Sequence, residues 1–240
     1  REDKFDNRHI VRQNTAITSA VIQILNGAGI ANVNIEDSSL VAKTDIEFEI
    51  GTTKLYAINY LLKVINYNNL HFDEMGVARS EQYINPYNRS IDDSYVTDKE
   101  SIVKRGAQES LDVFDVPNKF VRYLENPEIG TLRSVYVNDN PASMLSTISR
   151  GRTIVDVESV TDIADQATLD AYTIRVANEM GVYETLTFRS ALMPHHQYMD
   201  CINVNNSELE VSGKYIETRW SMDLKVGGDM THYLRKVVPV

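Results

Sequence analysis

The sequence predicts an α+β fold, with an antiparallel β-sheet or barrel domain under a covering helix and a smaller α+β domain beside it in the chain. Three observations predict it. Residues 46–79 change pattern from strand to helix to hairpin, residues 163–180 hold the longest helical repeat, and the stretch from there to Val238 alternates as strands do. The smaller domain is expected over residues 1–110, as a helix, a strand–helix–hairpin and a polar loop region. The antiparallel β domain is expected over residues 111–240 with its helix at 163–180.

In chain order, Asn14 can cap a helix whose inner face carries Ile17, Val21, Ile24 and Leu25, and Gly27 and Gly29 stop it. Residues 30–45 give only two brief apolar patches, Val33 with Ile35 and Leu40 with Val41, and read as loop with short strands. Ile46, Phe48 and Ile50 alternate with Glu47 and Glu49, so a strand there buries the first three and shows both carboxylates to water. Thr52 or Thr53 can cap the next helix, which recurs at Leu55, Ile58, Leu62 and Ile65 with no second apolar stripe. Asn66 to Asn69 breaks it, Leu70 to Phe72 starts a strand, and Asp73 to Gly76 turns the chain back into Val77 to Arg79. From Glu81 to Glu109 no period survives, and the segment reads as a long irregular loop.

Leu111 to Phe114, Lys119 to Tyr123 and Leu132 to Val137 read as strands, separated by Val116-Pro117-Asn118 and Asn126-Pro127-Glu128. Asn138 to Pro141 is a turn cluster, Met144 to Ile148 a short helix and Thr153 to Val157 a strand. Thr161 or Asp165 can cap the long helix, which turns Leu169, Tyr172, Val176 and Met180 inward and ends at Gly181. Strands follow at Tyr183 to Ala191 and Asp200 to Val204. Lys214 to Leu224 and Met230 to Val238 then form a long hairpin around Gly227-Gly228. Strict alternation in its first arm sets Tyr215, Glu217 and Arg219 on one face and Ile216, Thr218 and Trp220 on the other.

Composition narrows the function. The 240 residues are 42% hydrophobic and 24% charged, enough for a sizeable core. The net charge of −10 opposes tight phosphate-backbone binding, which needs Lys and Arg to displace counterions. The two basic clusters, Arg150-Gly151-Arg152 and Arg235-Lys236, read as solvated surface charge. No apolar run approaches the roughly 20 residues of a membrane span. The first residues are charged where a signal peptide would be apolar, and the chain starts without Met, as a processed product or a piece of a longer protein would. The single cysteine, Cys201, has no internal disulfide partner and reads as a small buried hydrophobe.

Candidate chemistry is sparse. His195-His196, near Asp200 and Cys201, is the most suggestive pair, but neighbours on a strand point to opposite faces, and no second ligand pair follows at i+4. Asp73 with Glu74 reads as turn chemistry, Gly27-Ala28-Gly29 as a helix stop, and the acids between Ile91 and Glu109 lack the spacing of a calcium loop. No nucleophile elbow, HExxH, P-loop or dinucleotide fingerprint is present. The expectation is a protein that is not an enzyme, with no catalytic, cofactor-binding or metal residue.

Six segments carry a resemblance. KLYAINYLLKVINYNNLHFDEMGVAR (54–79), DVPNKF (115–120), NDNPASMLSTISRGRTI (138–154), ATLDAYTIRVANEMG (167–181), LMPHHQYMD (192–200) and YIETRWSMDLKVGGDMTHYLRKV (215–237) together resemble the later part of tail proteins of long-tailed bacteriophages and prophages, in the baseplate hub class at the tail tip. The resemblance spans about Ala16 to Val238. It implies tube-like β-barrel domains with α+β insertions, one of them from about Ala167 to Val238. Hub proteins usually carry a further N-terminal β region, so a barrel here is expected to be incomplete or shared. The implied role is structural, joining the tail tube to the distal tip and host-contact proteins. The implied partners are copies of the chain, in a trimer, and other tail proteins (tube, tape measure, tip and fibre), with DNA passing through the channel without specific binding. The implied location is the virion tail, assembled in the bacterial cytoplasm. The alternative is a tail-borne carbohydrate-binding module or cell-wall hydrolase, the latter using acids between Ile91 and Glu109 or near His195.

Overall fold

The computed structural model describes residues 3–99, 101–126 and 130–238. In chain order the first elements are β1 (His9–Val11), α1 (Ile17–Gly27), β2 (Val33–Ile35), β3 (Ile46–Phe48), α2 (Lys54–Val64), β4 (His71–Phe72) and β5 (Ala78–Ser80). Then come β6 (Asp93–Val96), β7 (Val103–Leu111), β8 (Lys119–Asn126), β9 (Gly130–Val137), α3 (Thr147–Arg150) and β10 (Val155–Ser159). The last are α4 (Gln166–Met180), β11 (Glu184–Ala191), β12 (Cys201–Asn206), β13 (Val211–Met222) and β14 (Asp229–Lys236). The fold is α+β and sheet-rich, with one sheet curled into a half-barrel, as the sequence predicts. No helix among the described residues is long and apolar enough to cross a membrane.

The chain divides into two compact units. The first takes residues 1–83, 120–136 and 157–175, and the second takes 84–119, 137–156 and 176–240. Each unit is therefore assembled from three separate segments, whereas the sequence reading placed a single boundary at 110/111, a position that lies inside β7.

In the first unit α1 packs on α2, and Ile17, Val21, Ile24 and Leu25 share one core with Ile58, Leu61 and Leu62. Thr53 caps α2 by accepting from the Tyr56 N–H at 3.2 Å, as its position predicts. Asn14 does not cap α1. It sits in a left-handed turn at φ 66°, and the helix start is held by backbone instead: Ile17 N–H donates to the Leu40 carbonyl, and Asn14 and Ala42 N–H groups reach across the same short bridge. Leu55 is exposed, and the buried face of α2 instead runs through Ala57, Ile58, Leu61, Leu62 and Val64. That is wider than a single stripe. Ile50 lies beyond the end of β3 and is exposed, while Ile46 and Phe48 are buried as expected.

The predicted hairpin forms, with β4 antiparallel to β5 and β2 added parallel on the other side. Asp73 organises its turn by accepting from the backbone N–H groups of Met75 and Val77, and its other oxygen pairs with Arg79 at 2.5 Å. A further sheet has the order β10–β8–β9, in which buried Arg122 of β8 pairs with Glu158 of β10 at 3.2 Å. The expected breaker at Pro127 and Glu128 lies outside the described residues. In α4, Asp165 accepts from the Thr168 N–H at 2.8 Å, and Leu169 and Tyr172 are buried. Arg175 donates to the Tyr67 carbonyl at 2.7 Å and lies over the Tyr83 ring.

The second unit is built on six strands in the order β6–β12–β13–β14–β11–β7. All neighbours are antiparallel except β6, which runs parallel to β12. The edges of this sheet differ from the sequence reading. The supposed irregular loop of residues 81–109 supplies both edge strands: β7 is exposed along nearly its whole length, so nothing selects an apolar alternation there, and β6 buries only Tyr95. The long hairpin β13–β14 lies in the interior of the sheet, between β12 and β11.

Two outcomes test this arrangement. Leu62→Ala, at a fully buried position, should lower unfolding stability by about 2–5 kcal/mol, and Leu55→Ala, at an exposed one, by less than about 0.5 kcal/mol, both read from denaturant midpoints. The Asp73 carboxyl is held below its ordinary value first by the Val77 N–H and then by Arg79. A depressed folded value means that its stabilisation is complete above the unfolded pKa, about 4, and is lost as pH falls through the folded one. The stability difference between the parent and Asp73→Asn should therefore shrink on acidification from pH 5 and vanish at the acid end of an unfolding series.

Candidate functional site

The most unusual chemistry of the second unit lies inside its sheet. Glu217 projects from β13 and His232 from β14, and both are fully buried. Strict alternation would have carried Arg219 to the same face. A β-bulge at Thr218 intervenes, so that Glu217 pairs with Leu234 while Arg219 pairs with Tyr233 and lies over its ring at 4.9 Å. The bulge thus leaves Glu217 facing inward and turns its basic neighbour outward.

His196 completes the group from the β11–β12 connection, where the chain makes turns instead of a strand. Adjacent His195 and His196 stack with ring centres 5.1 Å apart, His195 exposed and His196 buried. The His196 Nδ1 lies 2.7 Å from Glu217 Oε2, and the His232 Nδ1 lies 2.6 Å from Glu217 Oε1. The outer nitrogens are also engaged: His196 Nε2 is 2.6 Å from the Tyr95 hydroxyl and His232 Nε2 is 2.8 Å from Ser190 Oγ. Phe188 stacks on His232 at 4.5 Å and meets Tyr95 edge-on at 5.0 Å, which seals the cluster with apolar surface.

The surrounding loop is pinned at several points. Arg89 donates to the Met199 carbonyl at 2.7 Å, Asp92 accepts from the Cys201 N–H at 2.8 Å, and Asp93 meets His195 at 3.0 Å. Asp200 accepts from the Gln197 N–H through its side chain and from the Glu217 N–H through its carbonyl.

Electrostatics follow from this packing. Burial opposes a charge on His196, but the close carboxylates of Asp200 and Glu217 outweigh it and raise the imidazole to about 9. Burial likewise pushes the Glu217 carboxyl up, and the two imidazoles overcome it and hold the group below its usual range. A second buried acid, Glu184, takes a hydrogen bond from the Tyr215 hydroxyl and an ion pair from Lys236 at 2.5 Å; burial and that acid push the Tyr215 phenol up.

Other residues singled out in the sequence have structural duties. Arg150 and Arg152 are not free surface charges: both donate to backbone carbonyls of the 113–116 loop, Arg150 at 2.6 Å to Val116 and Arg152 at 2.5 Å to Phe114. Arg235 bonds the Glu179 carbonyl and Lys236 is spent on Glu184. Cys201 is fully buried and burial raises its thiol pKa. In the first unit a cleft of about 150 Å³, lined by Tyr60, Lys63, Glu158 and Ile163 among others, is smaller than the ~300–1,000 Å³ typical of small-molecule sites.

Comparison with solved structures places the fold. The chain is similar to a tail protein from Neisseria meningitidis MC58, with a TM-score of 0.70 at 13% identity over 98% of this chain and 70% of that one. It is similar to the 43 kDa tail protein of prophage MuSo2 from Shewanella oneidensis, with a TM-score of 0.64 at 12% identity over 94% and 66%. A third likeness is prophage tail protein gp18 from Listeria monocytogenes EGD-e, with a TM-score of 0.58 at 12% identity over 96% and 68%. This chain therefore spans about two thirds of the length of each. No protein-family model matches the sequence, and no curated protein does. The resemblance to phage and prophage tail proteins read from the six segments is borne out as a shared fold.

Glu217→Gln should destabilise the protein by about 3–5 kcal/mol at neutral pH, because two imidazoles then face a group without charge. His195→Ala, on the exposed side, should cost less than about 1 kcal/mol in the same unfolding assay.

Proposed function

We propose that this protein is a structural component of a phage or prophage tail, a hub-like protein at the tail tip that links the tail tube to distal tip and host-contact proteins. The observation that carries the proposal is the fold likeness to the Neisseria tail protein over 98% of the chain. The open half-barrel adds support: β6 and β7 end the six-stranded sheet without a further strand among the described residues, and an unpaired edge favours pairing with a neighbour. A closed homo-oligomer, a trimer in the intact tail, satisfies such edges by symmetry. The net charge of −10 suits a channel that lets DNA pass, since carboxylates on the wall repel phosphate whereas a basic wall would hold it.

The role needs no catalysis. Asp92 and Asp93, acids a hydrolase would have used, are occupied by the Cys201 N–H and by His195. Partners on this reading are the tube, tape-measure and tip or fibre proteins, within the virion tail assembled in the host cytoplasm. Imaging reconstruction of the whole tail should find copies of this chain repeated around the tail axis, with Asp and Glu outnumbering Lys and Arg on the channel wall. An off-axis receptor-binding appendage, or a basic channel wall, would contradict it.

A further inference from the structure

The buried cluster carries an inference of its own, independent of the tail reading, and it begins with the placement of protons. Ser190 Oγ lies 2.7 Å from the Ala191 carbonyl, which can only accept, so the Ser190 hydroxyl hydrogen points there. Ser190 must then accept from His232, which fixes a hydrogen on His232 Nε2. The Tyr95 hydroxyl lies 2.6 Å from His196 Nε2, so the outer nitrogen of that ring is engaged too. Both rings present Nδ1 to the same carboxylate.

A bare Nδ1 and a carboxylate oxygen 2.6–2.7 Å apart oppose lone pair to lone pair, so positive charge must lie between them. A proton on each Nδ1 is one answer. It suits His232, but it does not suit His196: Nδ1 of His196 and Oε2 of Glu217 are both buried and, despite their short separation, lack the alignment of a hydrogen bond. A cation bound by both groups supplies that charge without requiring an aligned N–H···O bond.

We propose that His196, Glu217 and His232 form a closed binding site for a divalent first-row transition ion, with Zn²⁺ as its natural occupant, tying the β11–β12 loop to β13 and β14. The three offer one ligand atom each within 4.8 Å of one another, and both Glu217 oxygens face the imidazoles, so the carboxylate can fill two positions of a four-coordinate shell. Two imidazoles and a carboxylate are the donors such ions prefer, and calcium or magnesium would demand more oxygen. The outer shell is in place, because the other nitrogen of each ring lies within 2.8 Å of a hydroxyl that can accept its N–H, which is how metal-bound histidines are oriented. Asp200 and Asp93, 3.5 and 3.8 Å from His196 nitrogens, balance the remaining positive charge. With every ligand side chain shielded from solvent, no position is open to a substrate, and the ion acts as a cross-link. Histidine spacing alone pointed away from a metal; the fold brings in the missing partners from strands that follow much later in the chain.

The test uses the intact chain, expressed in zinc-supplemented medium. Elemental analysis after exhaustive dialysis should find one equivalent of zinc, removal by a chelator should lower Tm, and adding Zn²⁺ back should restore it. Co²⁺ added to the stripped protein should give the intense visible bands of a four-coordinate site. Glu217→Gln and His232→Asn, checked for folding by circular dichroism, should lose the metal and the bands. Trace metal only, with Tm indifferent to zinc and chelator and no cobalt spectrum, would overturn the proposal and leave two protons as the bridging charge. Zinc retained in folded Glu217→Gln would overturn it too, since the ion would then sit elsewhere, for example at Asp93 and His195.

Discussion

Glu217 imposes the strictest condition on the second unit. A carboxylate with no solvent exposure costs several kcal/mol of desolvation unless positive charge and hydrogen-bond donors meet it at close range. Here its near neighbours are His232 on the adjacent strand and His196 on a loop, and the Tyr95 and Ser190 hydroxyls hold those rings in turn. Only one register of β13 against β14 allows this. The bulge at Thr218 is part of that register, because it lets Glu217 face inward without dragging Arg219 in behind it.

The same cluster accounts for the order of the surrounding pieces. The edge strand β6 is short and buries little apolar surface, so its own packing gives it little hold on the sheet. Tyr95 ties it to His196, and Asp92 and Asp93 tie it to the loop that carries His196. The first unit is held differently. Its core is dominated by aliphatic side chains on α1 and α2, and its polar contacts include Asp73 with Arg79 at a turn and Arg122 with Glu158 between β8 and β10.

Where burial falls on one face, the sequence could be read. The helices α1, α2 and α4, the caps at Thr53 and Asp165, the β4–β5 turn and the β13–β14 hairpin all follow from apolar spacing and turn residues. Elements held by backbone or by a partner strand could not be read. The Leu40 carbonyl does the work expected of an Asn14 cap, and β7, exposed apart from half-buried Val103 and Ala107, has no period to reveal it. Half of the polar cluster was visible as the pair His195-His196. Its other half was hidden, since Glu217 and His232 alternate with their neighbours as ordinary strand residues do, and a one-residue bulge leaves no mark in composition.

Among the described residues the half-barrel has an internal polar anchor and two edge strands, β6 and β7, that pair on one side only. The Glu217 cluster joins β6 and the β11–β12 loop to the middle strands, and they should open as one cooperative unit. Site-resolved hydrogen exchange on the intact chain, followed as a function of denaturant, tests it most directly. The amides of Asp92, Gln197 and Cys201 should exchange as slowly as those of β13 and β14 and through the same global opening. Fast exchange at those three amides through local opening, with β13 and β14 still protected, would contradict it.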